Sequence, residues 1–167
     1  MKINIIGAGL AGCETAMVLS KAGIKCNLYE MRPVKMTPAH KTELFAELVC
    51  SNSFKSNLLE NAKGLLKEEM RQLGSLIIKT ADSCNIPSGK SLNVDRDVFS
   101  KKITDIISND PNINVIREEI TELDLDNINV VASGPLTSKD LSEHIKQLSG
   151  IKGLYFYDAV SPIIDAE

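Results

Sequence analysis

Six residues at the amino terminus have the types and spacing to hold a diphosphate: Gly7-Ala8-Gly9-Leu10-Ala11-Gly12, set between the apolar run Ile3-Asn4-Ile5-Ile6 and a helix-patterned stretch to Ala22. A strand ending in such a turn delivers the chain to a helix start, where free backbone N–H groups and the positive end of the helix dipole attract phosphate oxygens. Gly7 permits the tight turn, Gly9 removes the Cβ that would keep phosphates off the backbone, and Gly12 lets the helix lie close on the strand. Glu30, about twenty residues on at the end of the next apolar run, is placed to accept hydrogen bonds from a ribose diol. A carboxylate there repels a 2′-phosphate, so the site reads as FAD or NAD rather than NADP. The glycine pattern alone barely separates those two; a fingerprint beginning this near the first residue tilts toward FAD. A bare glycine triplet also arises in ordinary turns, and it is the sequence strand, turn, helix, second strand and acid that favours nucleotide binding.

The elements that would position these residues follow from periodicity. Residues 2–6 and 24–29 predict buried parallel strands around a helix at 10–22, stopped by Gly23. From Met31 to Asn57 regular periodicity is lost: Pro33 and Pro38 block helix, Ser51-Asn52-Ser53 favours turns, and Leu44 to Val49 has the makings of a short helix. A connection this long is usually functional or disordered, and Met36, Phe45, Leu48 and Phe54 would be wasted in a solvated linker. Leu58, Ala62, Leu65, Leu66, Met70 and Leu73 recur at helical spacing and predict an amphipathic helix at 58–73 with that stripe packed on the core. Leu76-Ile77-Ile78 fits a short strand or the start of another helix. A helix from about Asp95 to Ser108 follows, capped by Asp95, which explains most of Asp95-Arg96-Asp97, although Arg96 has the chemistry to bind an anion. Strands are predicted at 113–117, 128–133 and 154–157. The second of these runs into Gly134-Pro135-Leu136-Thr137, a strand end that passes beside FAD in many flavoproteins but also fits an ordinary strand-to-helix turn. Ser138 caps a helix with an inner face of Leu141, Ile145 and Leu148, ended by Gly150. The fold class is α/β, a Rossmann-like parallel sheet.

The 167 residues suffice for one domain with a real core and are few for a two-substrate redox enzyme. With 43% hydrophobic and 25% charged residues the composition is that of a soluble globular protein, and no apolar run approaches the roughly 20 residues of a membrane span. No signal peptide is visible. A net charge of −3 argues against general polyanion binding without excluding a local basic patch. Cys13, Cys26, Cys50 and Cys84 lack metal-ligand spacing, so neither zinc nor disulfides are expected in a cytosolic setting.

With these elements placed, the chain resembles the amino-terminal part of the flavin- and folate-dependent tRNA (uracil-5-)-methyltransferase family. The resemblance covers essentially the whole chain and rests on the glycine fingerprint, Tyr29 to His40, Glu47-Leu48-Val49-Cys50-Ser51-Asn52-Ser53, Gly64 to Met70, Val94-Asp95-Arg96-Asp97, Ser133 to Thr137 and Tyr155 to Ala159. Larger flavoproteins that modify the wobble uridine of tRNA share the Gly-x-Gly-x-x-Gly-Cys-Glu start but not the two middle segments.

The resemblance implies a bacterial cytoplasmic enzyme that makes 5-methyluridine in the T-loop of tRNA, with methylenetetrahydrofolate as carbon donor, reduced FAD as reductant and NADH or NADPH to recharge the flavin. It places Gly7 to Gly12 at the FAD pyrophosphate, Glu30 at the ribose, and residues 31–90 as an inserted segment contributing to the flavin site. Cys50 falls on a family cysteine near the flavin; a reactive thiolate there needs a nearby cation such as Lys55 or His40, or a helix start, and the alternative is a small buried hydrophobe. His40 fits a surface residue or a proton carrier equally. Family members are more than twice as long, so residues 1–167 are expected to be the amino-terminal part of an FAD/NAD(P)-binding domain, incomplete at its carboxyl end, with the uracil-attacking cysteine and most of the folate and tRNA surface absent. A complementing chain, a ribosomal RNA target, a non-catalytic FAD-binding remnant and an unrelated FAD- or NAD-dependent oxidoreductase remain open alternatives.

Overall fold

Four short strands, each with asparagine second and apolar residues around it, assemble into a single parallel sheet. In the computed structural model, which describes residues 2–150, these are β1 (Ile3–Ile6), β2 (Cys26–Tyr29), β6 (Ile113–Ile116) and β7 (Ile128–Val131), in the order β6-β2-β1-β7. Between them lie α1 (Leu10–Lys21), β3 (Ser53–Ser56), α2 (Ala62–Gln72), α3 (Leu76–Ser83), β4 (Asn85–Ile86), β5 (Ser91–Val94) and α4 (Arg96–Ser108); α5 (Lys139–Ser149) follows β7. The predicted strand at 154–157 lies outside the described residues.

Strand side chains alternate between faces. Ile5, Leu28, Val115 and Val130 form one cross-strand row, and they pack in or against the core that α1, α3 and α4 close with Ala16, Ile77, Phe99, Ile103 and Ile107. The preceding position puts Asn4, Asn27, Asn114 and Asn129 in register on the other face. Their amides bond head to tail: Asn114 donates to Asn27 (3.0 Å), Asn27 to Asn4 (2.9 Å), Asn4 to Asn129 (3.3 Å), and Asn129 to the Asp124 carbonyl (2.7 Å).

Two expectations change and one open alternative is settled. The segment 44–49 is not a helix: Ala46 sits at φ 50° and its N–H donates to the Ala8 carbonyl at 2.9 Å, while the Phe45 N–H donates to Thr104 Oγ1 at 2.8 Å. These contacts to the glycine turn and to α4 override the weak local helical preference. The Leu76-Ile77-Ile78 run begins a helix, because Ser75 accepts from the Ile78 N–H and caps it. The leucine stripe of α2 faces outward, with Leu65, Leu66 and Leu73 exposed and Gly64 and Lys67 buried. A Cβ on Gly64 would stand 1.8 Å from the Leu58 carbonyl oxygen, so α2 docks through bare backbone. The Lys67 stem follows, its ammonium donating to the Phe54 (3.0 Å) and Lys63 (2.6 Å) carbonyls.

The stretch at Ser51-Asn52-Ser53, expected to turn, leads into β3, which with β4 and β5 makes a second, antiparallel sheet in the order β3-β5-β4. Phe54 meets Phe99 edge-on at 5.6 Å, tying that sheet to α4.

Candidate functional site

The carboxyl ends of β1, β2 and β7 converge on one cleft, where parallel α/β sheets characteristically hold their ligands. It has a cavity volume of about 90 Å³ and is lined by the glycine turn (Gly7, Gly9), by Glu30 and Arg32 after β2, by Thr37 and His40 from the following segment, and by Glu118, Glu119 and Ile120 after β6. Ser133, Thr137 and Leu141 close the β7 side.

The three glycines have separate geometries. Gly7 takes φ +102°, and a Cβ there would lie 2.8 Å from Ser133 Cα. A Cβ on Gly12 would sit 1.8 Å from the Gly7 carbonyl oxygen, whereas one on Gly9 would meet nothing within 4 Å among the described residues. The first and third are thus filled by the protein's own backbone and the middle one opens into free space. Side chains cap α2, α3, α4 and α5 at Asn61, Ser75, Asp95 and Ser138. At α1 the N-cap is Gly9, with no side-chain cap, so its first N–H groups remain available to an anion.

Glu30 is buried and turned onto this turn, accepting the Ala8 N–H at Oε2 (3.1 Å). Arg32 gives Glu30 Oε1 its backbone N–H (3.1 Å) and Nε (3.0 Å), and gives Oε2 its Nη2 (3.3 Å). Burial pushes the Glu30 carboxyl up, but the Arg32 hydrogen bonds and charge, with the two N–H groups, outweigh it and hold the acid below the ordinary carboxylate range. The far side of the same guanidinium donates through Nη1 to the Thr42 carbonyl (3.0 Å) and Glu47 Oε2 (2.9 Å). Glu47 is lowered too: burial opposes, while the Lys41 N–H and the Thr42 hydroxyl and N–H prevail. His40 is shifted down, first by burial and then by the Arg32 charge, and its Nδ1 lies 2.6 Å from Thr37 Oγ1. Arg117 completes the cluster, donating to the Arg32 and Glu43 carbonyls (2.9 and 2.8 Å) and lying 4.2 Å over the Phe45 ring. Lys35 pairs at 2.6 Å with Glu119, one of the cleft residues.

Of the residues singled out in the sequence, Gly7, Gly9 and Glu30 line one cleft, with Ala8 bonded to Glu30 from behind and Leu10 and Ala11 in the first turn of α1. Cys50 is exposed and is not among the cleft residues, although its segment is fastened to the glycine turn through Ala46. All four cysteines are free; Cys13 is buried behind the turn, where burial and the Glu30 charge push its thiol up to about 12. Asp95 caps α4, and among the described residues Arg96 reaches only the Leu48 carbonyl (3.4 Å). The strand end at Ser133-Gly134 enters a 3-10 turn, Gly134–Leu136, on the cleft wall.

Sequence reasoning passed over Arg32, and its signal was present: an arginine two residues beyond a strand-end acid, with a second acid at Glu47. It also passed over Glu14, whose carboxylate accepts from the Ser75 hydroxyl (2.7 Å) and the Leu76 and Ile77 N–H groups (3.0 and 2.9 Å), capping α3 from α1.

The family model described as Glucose inhibited division protein A matches residues 2–167. The chain belongs to that family. Among its relatives, the methylenetetrahydrofolate–tRNA-(uracil-5-)-methyltransferase TrmFO of Anoxybacillus flavithermus is 55% identical over 167 residues, which is 100% of this chain and 38% of the relative. The protein of the same name from Streptococcus gordonii is 58% identical over 163 residues, 98% of this chain and 37% of the relative. The chain therefore spans well under half the length of the curated relatives it matches, and it aligns with them as the amino-terminal portion. Aquifex aeolicus GidA gives a TM-score of 0.59 at 18% identity, covering 74% of this chain and 20% of that one, a likeness of fold. The family membership and the shared fold agree with the α/β parallel-sheet class expected from periodicity. Among the described residues no helix is long and apolar enough to cross a membrane, and no cluster of His, Cys, Asp and Glu has the arrangement to hold a metal ion.

Proposed function

We propose that the chain is the FAD-binding portion of a folate-dependent tRNA (uracil-5-)-methyltransferase, which forms 5-methyluridine in the T-loop of tRNA from methylenetetrahydrofolate. The observation that carries nucleotide binding is a single juxtaposition. The uncapped start of α1 faces open space over Gly9, and the buried carboxylate of Glu30 is turned onto the same turn. The choice of reaction rests on relatives 53–58% identical that all bear the methyltransferase name.

In this reading Gly7 to Gly12 receive the diphosphate, with the N–H groups of the first α1 turn as donors and Gly9 as the point of closest approach. Glu30, kept ionised by Arg32, accepts from the adenosine ribose. The 31–90 segment contributes through Arg32, Thr37 and His40, which line the cleft. Cys50 is assigned to the flavin's surroundings, on a segment anchored to Ala8 through Ala46. Bound reduced FAD supplies the electrons that turn the transferred carbon into a methyl group, and NAD(P)H recharges it. The enzyme is placed in the cytoplasm with tRNA as its macromolecular substrate, the parts of its surface for folate and tRNA lying in the longer relatives' remaining length.

The test has two steps. The purified chain is titrated with FAD and, separately, with NADP; uptake of FAD with a flavin absorbance band and no uptake of NADP is expected. The chain is then joined to the remaining sequence of a curated relative and assayed for 5-methyluridine in tRNA. Failure of both forms to take up FAD overturns the cofactor assignment, and flavin uptake without methylation by the joined protein overturns the reaction.

A further inference from the structure

The lone-pair accounting at Glu30 leads beyond a carboxylate that waits for a sugar. An ionised carboxylate offers about four acceptor sites, and here all are taken: Oε1 by the Arg32 N–H and Nε, Oε2 by the Ala8 N–H and Arg32 Nη2. A ribose hydroxyl can enter only by displacing one of them. The longest is Nη2 to Oε2 at 3.3 Å, a buried bond between two residues that both border the cleft. The other Arg32 donors are committed elsewhere: Nη1 holds the Thr42 carbonyl and Glu47, and Nε holds Oε1. Among the described residues Nη2 has no other bonded partner.

We propose that Arg32 is a ribose-binding residue: one sugar hydroxyl inserts between Glu30 Oε2 and Arg32 Nη2, donating its proton to the carboxylate and accepting from the guanidinium. This rests on the nucleotide reading above and adds a second residue and a selection rule to it. A hydroxyl is both donor and acceptor and satisfies the two groups at once. A deoxy position satisfies neither and leaves the pair closed. The rule also corrects the charge argument made from sequence. With Arg32 against it Glu30 is not a bare anion, so rejection of a 2′-phosphate falls to the lack of room and of spare donors at a pair that accepts a single hydroxyl. Glu47 and the Thr42 carbonyl serve as the anchor that keeps the guanidinium's far side in place while the near side opens.

The probes are ADP, 2′-deoxy-ADP and 3′-deoxy-ADP, titrated by calorimetry into the chain and into its Arg32→Met and Arg32→Lys variants, with thermal melting to establish that each variant is folded. The lysine variant retains the buried positive charge but not the planar fork, and guards against a methionine variant that does not fold. For the parent, one of the two deoxy nucleotides is expected to bind at least about tenfold more weakly than ADP, the scale of a lost hydrogen bond to a charged group. In the variants that ratio falls toward one while diphosphate affinity persists, which a purely structural role for Arg32 would not produce. A folded variant that keeps the parent's ratio overturns the proposal. So does a parent that binds all three nucleotides alike, which leaves the glycine-turn site standing; a parent that binds no ADP removes both readings together.

Discussion

Replacing Gly12 by alanine and Gly9 by serine separates what holds the glycine turn together from what it is built to receive. At Gly12 the new Cβ would stand 1.8 Å from the Gly7 carbonyl oxygen. Ordinary C···O approaches are about 3.3 Å or more, so α1 must retreat from the turn by about 1.5 Å. The obstacle is backbone and has no rotamer to change. Overpacking of this kind costs typically about 1–3 kcal/mol, and the upper end is expected here. For a chain of this length each kcal/mol lowers the melting temperature by about 2–4 °C, so Gly12→Ala should melt roughly 6–12 °C below the parent. At Gly9 nothing among the described residues lies within 4 Å of an added Cβ, and the residue is an N-cap without a capping side chain. Serine is a favoured N-cap with an advantage over glycine of a few tenths of a kcal/mol, so Gly9→Ser should equal or slightly exceed the parent in stability. Its side chain nonetheless occupies the approach to the helix start, and ADP affinity should fall by about tenfold or more. Urea unfolding followed by circular dichroism measures the first effect and calorimetric titration the second. If Gly12→Ala unfolds with the parent, or Gly9→Ser binds ADP as tightly as the parent, the division of labour among these glycines is wrong.

Glu14→Ala removes the acceptor for the Ser75 hydroxyl and the first N–H groups of α3, and should lower the free energy of unfolding by about 2–3 kcal/mol in urea titration. Iodoacetamide at pH 8, followed by peptide mass spectrometry, should modify exposed Cys50 roughly a hundredfold faster than buried Cys13, whose thiol lies near 12. Acid unfolding should come in two stages. His40 has a folded pKa below 6.5, so the unfolded chain binds more protons beneath that value and stability begins to decline there. Glu30 and Glu47, both held below 4.5, contribute stability that is complete above 4.5 and lost as pH falls through their depressed values; Glu30→Gln should flatten this second limb in urea titrations run against pH.

The strand-turn-helix start, the β2 acid and the helix ending at Ser108 were legible because their signals are local: glycines at a turn, a capping Asp95, apolar residues at regular spacing. The α2 stripe misled for a physical reason. Periodicity reports that a helix has an apolar side, but docking through the bare backbone at Gly64 lets a lysine stem face inward and the leucines outward. The site was half legible. Glu30 announces itself by position, whereas Arg32 depends on meeting Glu47, fifteen residues on, through a loop whose path is set by the Ala46 bond to Ala8. No spacing rule contains such a contact. Glu14 was hidden in the same way, because its partners are about sixty residues away in sequence.

The asparagines shared by β1, β2, β6 and β7 act as alignment marks. Sliding any of these strands by one residue would swing its amide toward the helices and leave a hydrocarbon in the row, and the amides on either side would lose a partner at once. Each strand's position is thus audited by the whole sheet and not by its neighbour alone, a safeguard of particular worth where parallel pairing must be found between residues 87 positions apart, as it is between Asn27 and Asn114.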